Sequence, residues 1–218
     1  HIHKERERER GGQTQRERYP HTPVYAACMG NASGKGGLDS LLVELKEITS
    51  RDDPTRQLKF IRKYLKLDPR NQEQNRRLVS QGGLGYLVRL ATTEEEEIQE
   101  RCTHCIAGLL QDETAVFEFV SDLDLLEKFC MLASFPNSQV QSNLVRAISC
   151  IISRVSEADA LVDRGVAVAL LQITEQTHNR KTLEDAVHDL LSLFSECHLP
   201  ARWTSILSID QHMRTLLE

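Results

Sequence analysis

Tryptophan is nearly missing from this chain: there is one in 218 residues, and aromatic residues of all kinds make up only 5%. The strands of a β-sandwich draw on aromatic and β-branched alternation, so this scarcity argues against one. No apolar run reaches the ~18 residues a helix needs to cross a bilayer, and the longest candidates, such as AVALLQI at 167–173, have the size of a core helix segment. A basic excess is lacking too. The net charge is −5, and residues 1–18 carry six Lys/Arg against four Glu, which leaves residues 19–218 at −7. A body this acidic offers no electrostatic footprint for nucleic acid, which calls for a basic face. The six cysteines (28, 102, 105, 130, 150 and 197) are spread thinly, without a secretory signal before them. No disulfide framework is expected. The composition reads as a reduced cytoplasmic protein, with nuclear or peripheral-membrane placement as the other options.

Order is missing from the first 37 residues as well. HIHKERERER has no hydrophobic period, and Gly, Pro and polar residues continue to about Gly37. Such a stretch cannot bury enough apolar surface to offset its ordering entropy, so residues 1–37 are expected to be a disordered leader. Residues 1–28 read as sequence upstream of a natural start at Met29, since alternating Glu-Arg is what a purine dinucleotide repeat yields when translated.

What is present from Leu38 onward is a repeat of about 41 residues. Leu78-Val79, Phe119-Val120 and Leu161-Val162 recur at steps of 41 and 42. Gly82 and Gly165 fall at equivalent places, where a short helix must end in a sharp turn; Leu123 fills that place in the middle copy, predicting a looser turn there. In the following helix, Ile98, Cys102, Cys105, Ile106 and Leu109 define an apolar stripe at increments of four, three, one and three. Val140, Leu144, Ala147, Ile148 and Ile151 repeat the increments, as do Leu183, Val187, Leu190, Leu191 and Phe194. This is a helical period at constant spacing. A degenerate earlier copy runs from Leu38 to about Leu67, with Pro54 placed for the first turn of its second helix.

Each unit is thus a short helix, a turn, a medium helix, a polar loop and a long helix. The stretch LVSQGGLGYLVRLATTEEEEIQERCTHCIAGLLQ, with its Gly-Gly turn and acidic loop, resembles the armadillo repeat. The resemblance covers about Leu38 to Cys197 and predicts an all-α fold, a right-handed α-solenoid of about four armadillo-type repeats. The expected units are about 38–70, 71–113, 114–155 and 156–197; residues 198–218 would be a C-terminal cap helix or part of a further repeat. No single unit can bury its own stripe, so neighbours must stack, and the long helices then line a concave face.

Three clusters that invite chemistry have simpler readings. Cys102-Thr-His-Cys105 lacks the second ligand pair of a structural zinc site, and both cysteines stand at core positions of the repeat, where Cys acts as a small hydrophobe. The run Glu94–Glu97 precedes a helix, whose positive end favours carboxylates. His188, with Asp185, Asp189 and Ser192, would need a pocket and an oxyanion site to act as a catalytic set. No enzyme activity, metal, cofactor or small-molecule substrate is expected.

The resemblance implies a protein-interaction scaffold that binds an extended peptide or partner protein along the concave face. In importin-α-like armadillo proteins that face carries a Trp/Asn ladder. Matched by position, the Trp places fall on Lys63, His104, Arg146 and Asp189, and the Asn places on Leu67, Gly108, Cys150 and Leu193, so the ladder is absent. Lys63, His104 and Arg146, with Asn143 nearby, instead suggest a modestly basic strip for acidic extended segments of other proteins. The resemblance leaves open an importin-like transport adaptor lacking the ladder, an exchange cofactor for heat-shock proteins of the Hsp70 class, and an acylated armadillo scaffold.

The last option turns on MGNASGKGG at 29–37. This stretch fails the phosphate-loop rule: only three residues separate Gly30 from Gly34-Lys35, and Gly36 stands where Ser/Thr is needed. Translation from Met29 would expose Gly30 for N-myristoylation, although Ser33 lies one residue early for the motif. Membrane contact is expected only if Gly30 is acylated, and one acyl chain binds a membrane marginally.

Overall fold

The computed structural model describes residues 43–44, 46–47, 54–64 and 72–197, and every regular element among them is helical. The expectations for the leader, Met29, Gly30, Leu67 and residues 198–218 lie outside the described residues.

The helices are α1 (Pro54–Tyr64), α2 (Gln72–Ser80), α3 (Gly83–Ala91), α4 (Glu96–Leu109), α5 (Glu113–Ser121), α6 (Leu123–Met131), α7 (Ser138–Ile152), α8 (Ala158–Asp163), α9 (Val166–Gln176) and α10 (Arg180–Glu196), with a 3-10 turn at Leu132–Ser134. From α2 onward they run as triplets whose last member is longest. The long helices lie side by side, α4 on α1, α7 on α4 and α10 on α7; α3, α6 and α9 form a second row. The result is an all-α solenoid with one continuous apolar core threading every triplet. A repeat architecture of this kind gains its stability from nearest-neighbour seams rather than from a single central nucleus.

The last three long helices start after residues 42 positions apart, Glu95, Asn137 and Asn179, and the two asparagines cap with their side chains. The Asn137 carboxamide oxygen accepts from the N–H groups of Gln139 and Val140, both at 2.9 Å, and that of Asn179 accepts from Thr182 at 3.2 Å. These side chains satisfy first-turn donors that the helix leaves without a partner. Glu96 and Glu97 occupy the first turn of α4, as the acidic run predicted.

Referred to these caps, the core stripe of α4 (98, 102, 105, 106, 109) recurs in α7 at 140, 144, 147, 148 and 151. In α10 it recurs at Thr182, Ala186, Asp189, Leu190 and Leu193, all buried. The α10 stripe read from the sequence was therefore one residue out of register. Leu190 is buried in both readings, but Leu183 is 36% and Leu191 62% exposed. The reason is that α10 is apolar on two adjacent faces, and hydrophobicity alone selects the more apolar one.

The turns follow the glycines. Gly82 and Gly165 adopt left-handed backbone, φ 78° and 84°, and their N–H groups donate to the Val79 and Val162 carbonyls at 2.8 and 3.1 Å. The middle turn differs from the looser one expected. Leu123 is already the first residue of α6, and Asp122 alone links α5 to α6 with extended backbone, its carboxylate accepting from the Leu125 N–H at 3.2 Å. No glycine N–H reaches the equivalent Val120 carbonyl, which instead accepts from the Arg164 guanidinium of the next triplet. The shortened turn is thereby tied to its neighbour by a charge-assisted hydrogen bond.

Three alanine substitutions separate the roles of the glycines. A Cβ at Gly83 would lie 2.7 Å from the Leu78 carbonyl oxygen and 2.5 Å from Leu78 Cγ, whereas one at Gly82 or Gly108 meets nothing within 4 Å. Gly83→Ala is expected to cost about 2–3 kcal/mol through overpacking and Gly82→Ala about 1–2 kcal/mol through the left-handed backbone. Gly108→Ala, in open helix, should be neutral or stabilising by up to about 1 kcal/mol. Urea unfolding of the three variants checks the order.

Candidate partner-binding face

The long-helix row presents one face to solvent, and the residues there follow from the cap register. His104 on α4 and Arg146 on α7 are equivalent, and a further step of 42 reaches His188 on α10. Asp189, matched to this set from the sequence, belongs instead to the core stripe and is buried, because the register of α10 shifts by one. By the same step Ser192, rather than Leu193, follows Gly108 and Cys150. Lys63 lies on α1, and its side chain is outside the described residues.

Arg146 is exposed. Its guanidinium reaches the His104 carbonyl at 3.4 Å, closing the α4–α7 seam from the solvent side. Other arginines of the long helices are tied to acids: Arg62 and Arg101 to Glu97 at 2.9 and 2.7 Å, and Arg180 to Glu184 at 2.8 Å. Arg146 meets no carboxylate among the described residues. The Glu97 carboxyl is held below its ordinary value by the hydrogen bonds from Arg62 and then Arg101. His104 is half-buried, and burial, followed by the charge of Arg146, lowers its pKa below the ordinary histidine value. It therefore offers a neutral imidazole at neutral pH, not a second fixed charge. Positive charge on this part of the face is concentrated at Arg146.

Asn143 lies beneath these residues, its side chain hydrogen-bonded to His104, and not at the surface. It is 1% exposed, and its amide donates to the Glu100 carbonyl and the Thr103 hydroxyl, both at 3.2 Å. Its role is to join α7 to α4 beneath the surface. Sequence spacing placed it on the right helix but could not tell the seam from the solvent side, which lie less than one helical turn apart.

The other clusters resolve as packing. Cys102 and Cys105 are buried, and burial pushes both thiols up, Cys105 to about 12 and Cys102 well above its ordinary value, which suppresses the thiolate. Among the described residues no group of three or more His, Cys, Asp or Glu side chains is placed to hold a metal ion. His188 points outward, with Nδ1 3.8 Å from Asp189 Oδ1, beyond hydrogen-bond range, while Asp189 turns inward. An open depression of about 760 Å³ beside Phe117 and Leu123 lies on α5 and α6, away from the long-helix row. No helix among the described residues is long and apolar enough to cross a membrane.

Asp189 is a functional-looking residue that sequence reasoning misplaced. It stands where Cys105 and Ala147 stand in the preceding units and accepts a 2.6 Å hydrogen bond from Ser149 of α7. Burial pushes its carboxyl up to about 6, against the Ser149 hydrogen bond and the neighbouring His188, which lower it. The signal that could have found it was the Asn137–Asn179 cap spacing, which fixes the register without reference to hydrophobicity.

No family model matches this chain, and no curated protein sequence matches it. Solved structures do. Two engineered proteins superpose with TM-scores of 0.61 and 0.60 at 24% and 25% identity, over 72% and 73% of this chain and 64% of each of theirs. A computationally designed armadillo repeat protein for modular peptide recognition superposes with a TM-score of 0.60 at 19% identity, over 71% of this chain and 63% of its own. The chain thus spans less than two thirds of the length of these structures. It has an armadillo-like repeat fold.

The Asp189 carboxyl generates a pH-dependent prediction. Its folded value near 6 lies above the ordinary 3.8, so the folded state holds the proton more tightly. The contribution to stability is full below the ordinary value and is lost as pH rises through about 6. Asp189→Asn, which keeps the shape and an acceptor for Ser149, should stabilise the chain by roughly 1–3 kcal/mol at pH 7.5 and by little at pH 4. Thermal melts of both proteins across this range provide the check.

Proposed function

We propose that this chain is a non-enzymatic protein-interaction scaffold that holds an extended, acidic segment of a partner protein along the concave side of the long-helix row. The observation that carries the reading is Arg146: an exposed guanidinium in the row, closing a seam and lacking a carboxylate among the described residues. A guanidinium in that state is a ready partner for a carboxylate, to which it can make paired charge-assisted hydrogen bonds. His104 beside it supplies a neutral imidazole, and Lys63 lies on the preceding helix of the row. Stacked repeats suit an extended ligand because each unit contacts only a short stretch of it. The likeness to a protein designed for modular peptide recognition supports peptide or protein partners of this kind.

The test is a peptide display of extended segments that vary in charge, read against the wild-type chain and against Arg146→Glu and Lys63→Glu. Acidic segments should be enriched on the wild-type chain, and each substitution should weaken their binding by roughly tenfold. Equal retention by the wild-type and both variants would remove this face as the binding surface.

A further inference from the structure

α10 carries a second apolar stripe beside the one that enters the core. Leu183, Val187, Leu191 and Phe194 succeed one another at increments of four, four and three. The 42-residue step shows what this face does in the earlier units. On α4 and its C-cap the equivalent residues are Gln99, Thr103, Ala107 and Leu110, all buried. On α7 they are Gln141, Val145, Ser149 and Ile152; Ser149 is half-buried and the other three are buried. Hydrogen bonds identify it as the side turned toward the following unit: Thr103 receives the Asn143 amide of α7, and Ser149 donates to Asp189 of α10. α10 is the last long helix described, and here the same face is the more apolar while Leu183 is 36% and Leu191 62% exposed. Leu183 stands where α4 and α7 both carry Gln, and Val187 and Leu191 stand where at least one of them carries Thr or Ser.

The segment that follows supplies a matching stripe. Residues 198–218 lie outside the described residues, and in sequence Trp203, Ile206, Ile209, Met213 and Leu216 recur at increments of three, three, four and three, after Pro200. As a helix, 203–217 would be ~21 Å long and the α10 stripe spans ~17 Å at 1.5 Å per residue. Only a short connection separates them, because α10 ends at Glu196. We propose that residues 203–217 fold as an amphipathic helix whose Trp203–Leu216 stripe docks on Leu183, Val187 and Leu191, closing the end of the solenoid. The proposal stands independently of the concave-face reading.

The chain reports on this docking directly, because Trp203 is its only tryptophan. In the full chain at monomeric concentration, Trp203 emission should lie to the blue of free indole and resist iodide quenching. Leu191→Glu and, separately, Leu183→Glu place a charge in the seam and should shift the docking equilibrium toward release by roughly tenfold or more. That appears as a red shift and loss of iodide protection, with far-UV helicity retained for α1–α10. Val168→Glu, at an exposed position of α9, should change neither readout. Free-indole behaviour of wild-type Trp203, or protection that both leucine variants leave intact, would overturn the proposal. So would protection that grows with protein concentration, which would identify a second copy as the occupant.

Discussion

Everything in this molecule depends on the seam between one long helix and the next. No triplet can bury its long helix alone: α4 carries a core stripe at 98, 102, 105, 106 and 109, and a second buried face through Gln99, Thr103, Ala107 and Leu110 that only a neighbour can cover. Burial of that second face links each unit to the next, and the hydrophobic free energy released there, on the order of 25 cal/mol per Å² of apolar area, offsets the ordering of an added unit. The solenoid form, its extended face and its need for a closed end all follow from this arrangement.

The seams are not purely apolar, and their polar residues fix the register. Asn137 reaches back to Glu100 at 3.0 Å, Asn143 joins Glu100 and Thr103, and Arg154 donates to the Gln111 carbonyl at 3.0 Å. A slip of one residue would leave the buried Asn143 amide and Thr103 hydroxyl without partners, each costing about 1–3 kcal/mol. The α7–α10 seam replaces that amide network with Ser149 and a buried Asp189, and so becomes sensitive to protonation. Where α5 and α6 lose a turn residue, Arg164 takes over a helix-end carbonyl from the missing glycine N–H. Specificity is thus distributed seam by seam.

Much of this was legible from residue type and spacing. The stripes of α4 and α7, the left-handed turns at Gly82 and Gly165, Pro54 at the head of α1 and the acidic first turn of α4 all follow from local rules. The failures share one physical cause. Hydrophobic period reports that a helix has an apolar face, but not which neighbour covers it. α10 has two such faces, so the stripe settled on Leu183 and Leu191, and Asp189 was assigned to the surface. Asn143 falls near His104 as its spacing suggested, but on the seam, since a seam and a solvent face are adjacent on one helix. Conventional capping residues, not apolar ones, carried the true register. Arg164 had no sequence signal, because its acceptor is a carbonyl freed by a deletion 44 residues away.

The central claim is that stability resides in the seams, so that a helix covered on both sides is held more firmly than one covered on one side. Native-state hydrogen exchange resolved by segment measures this directly. The account predicts slow exchange in α4 and α7, which have long helices on both flanks, with Leu191→Glu, on the outer face of α10, accelerating exchange in α10 and leaving α4 unchanged. Uniform protection of α4, α7 and α10 that responds as one unit to that substitution would contradict it.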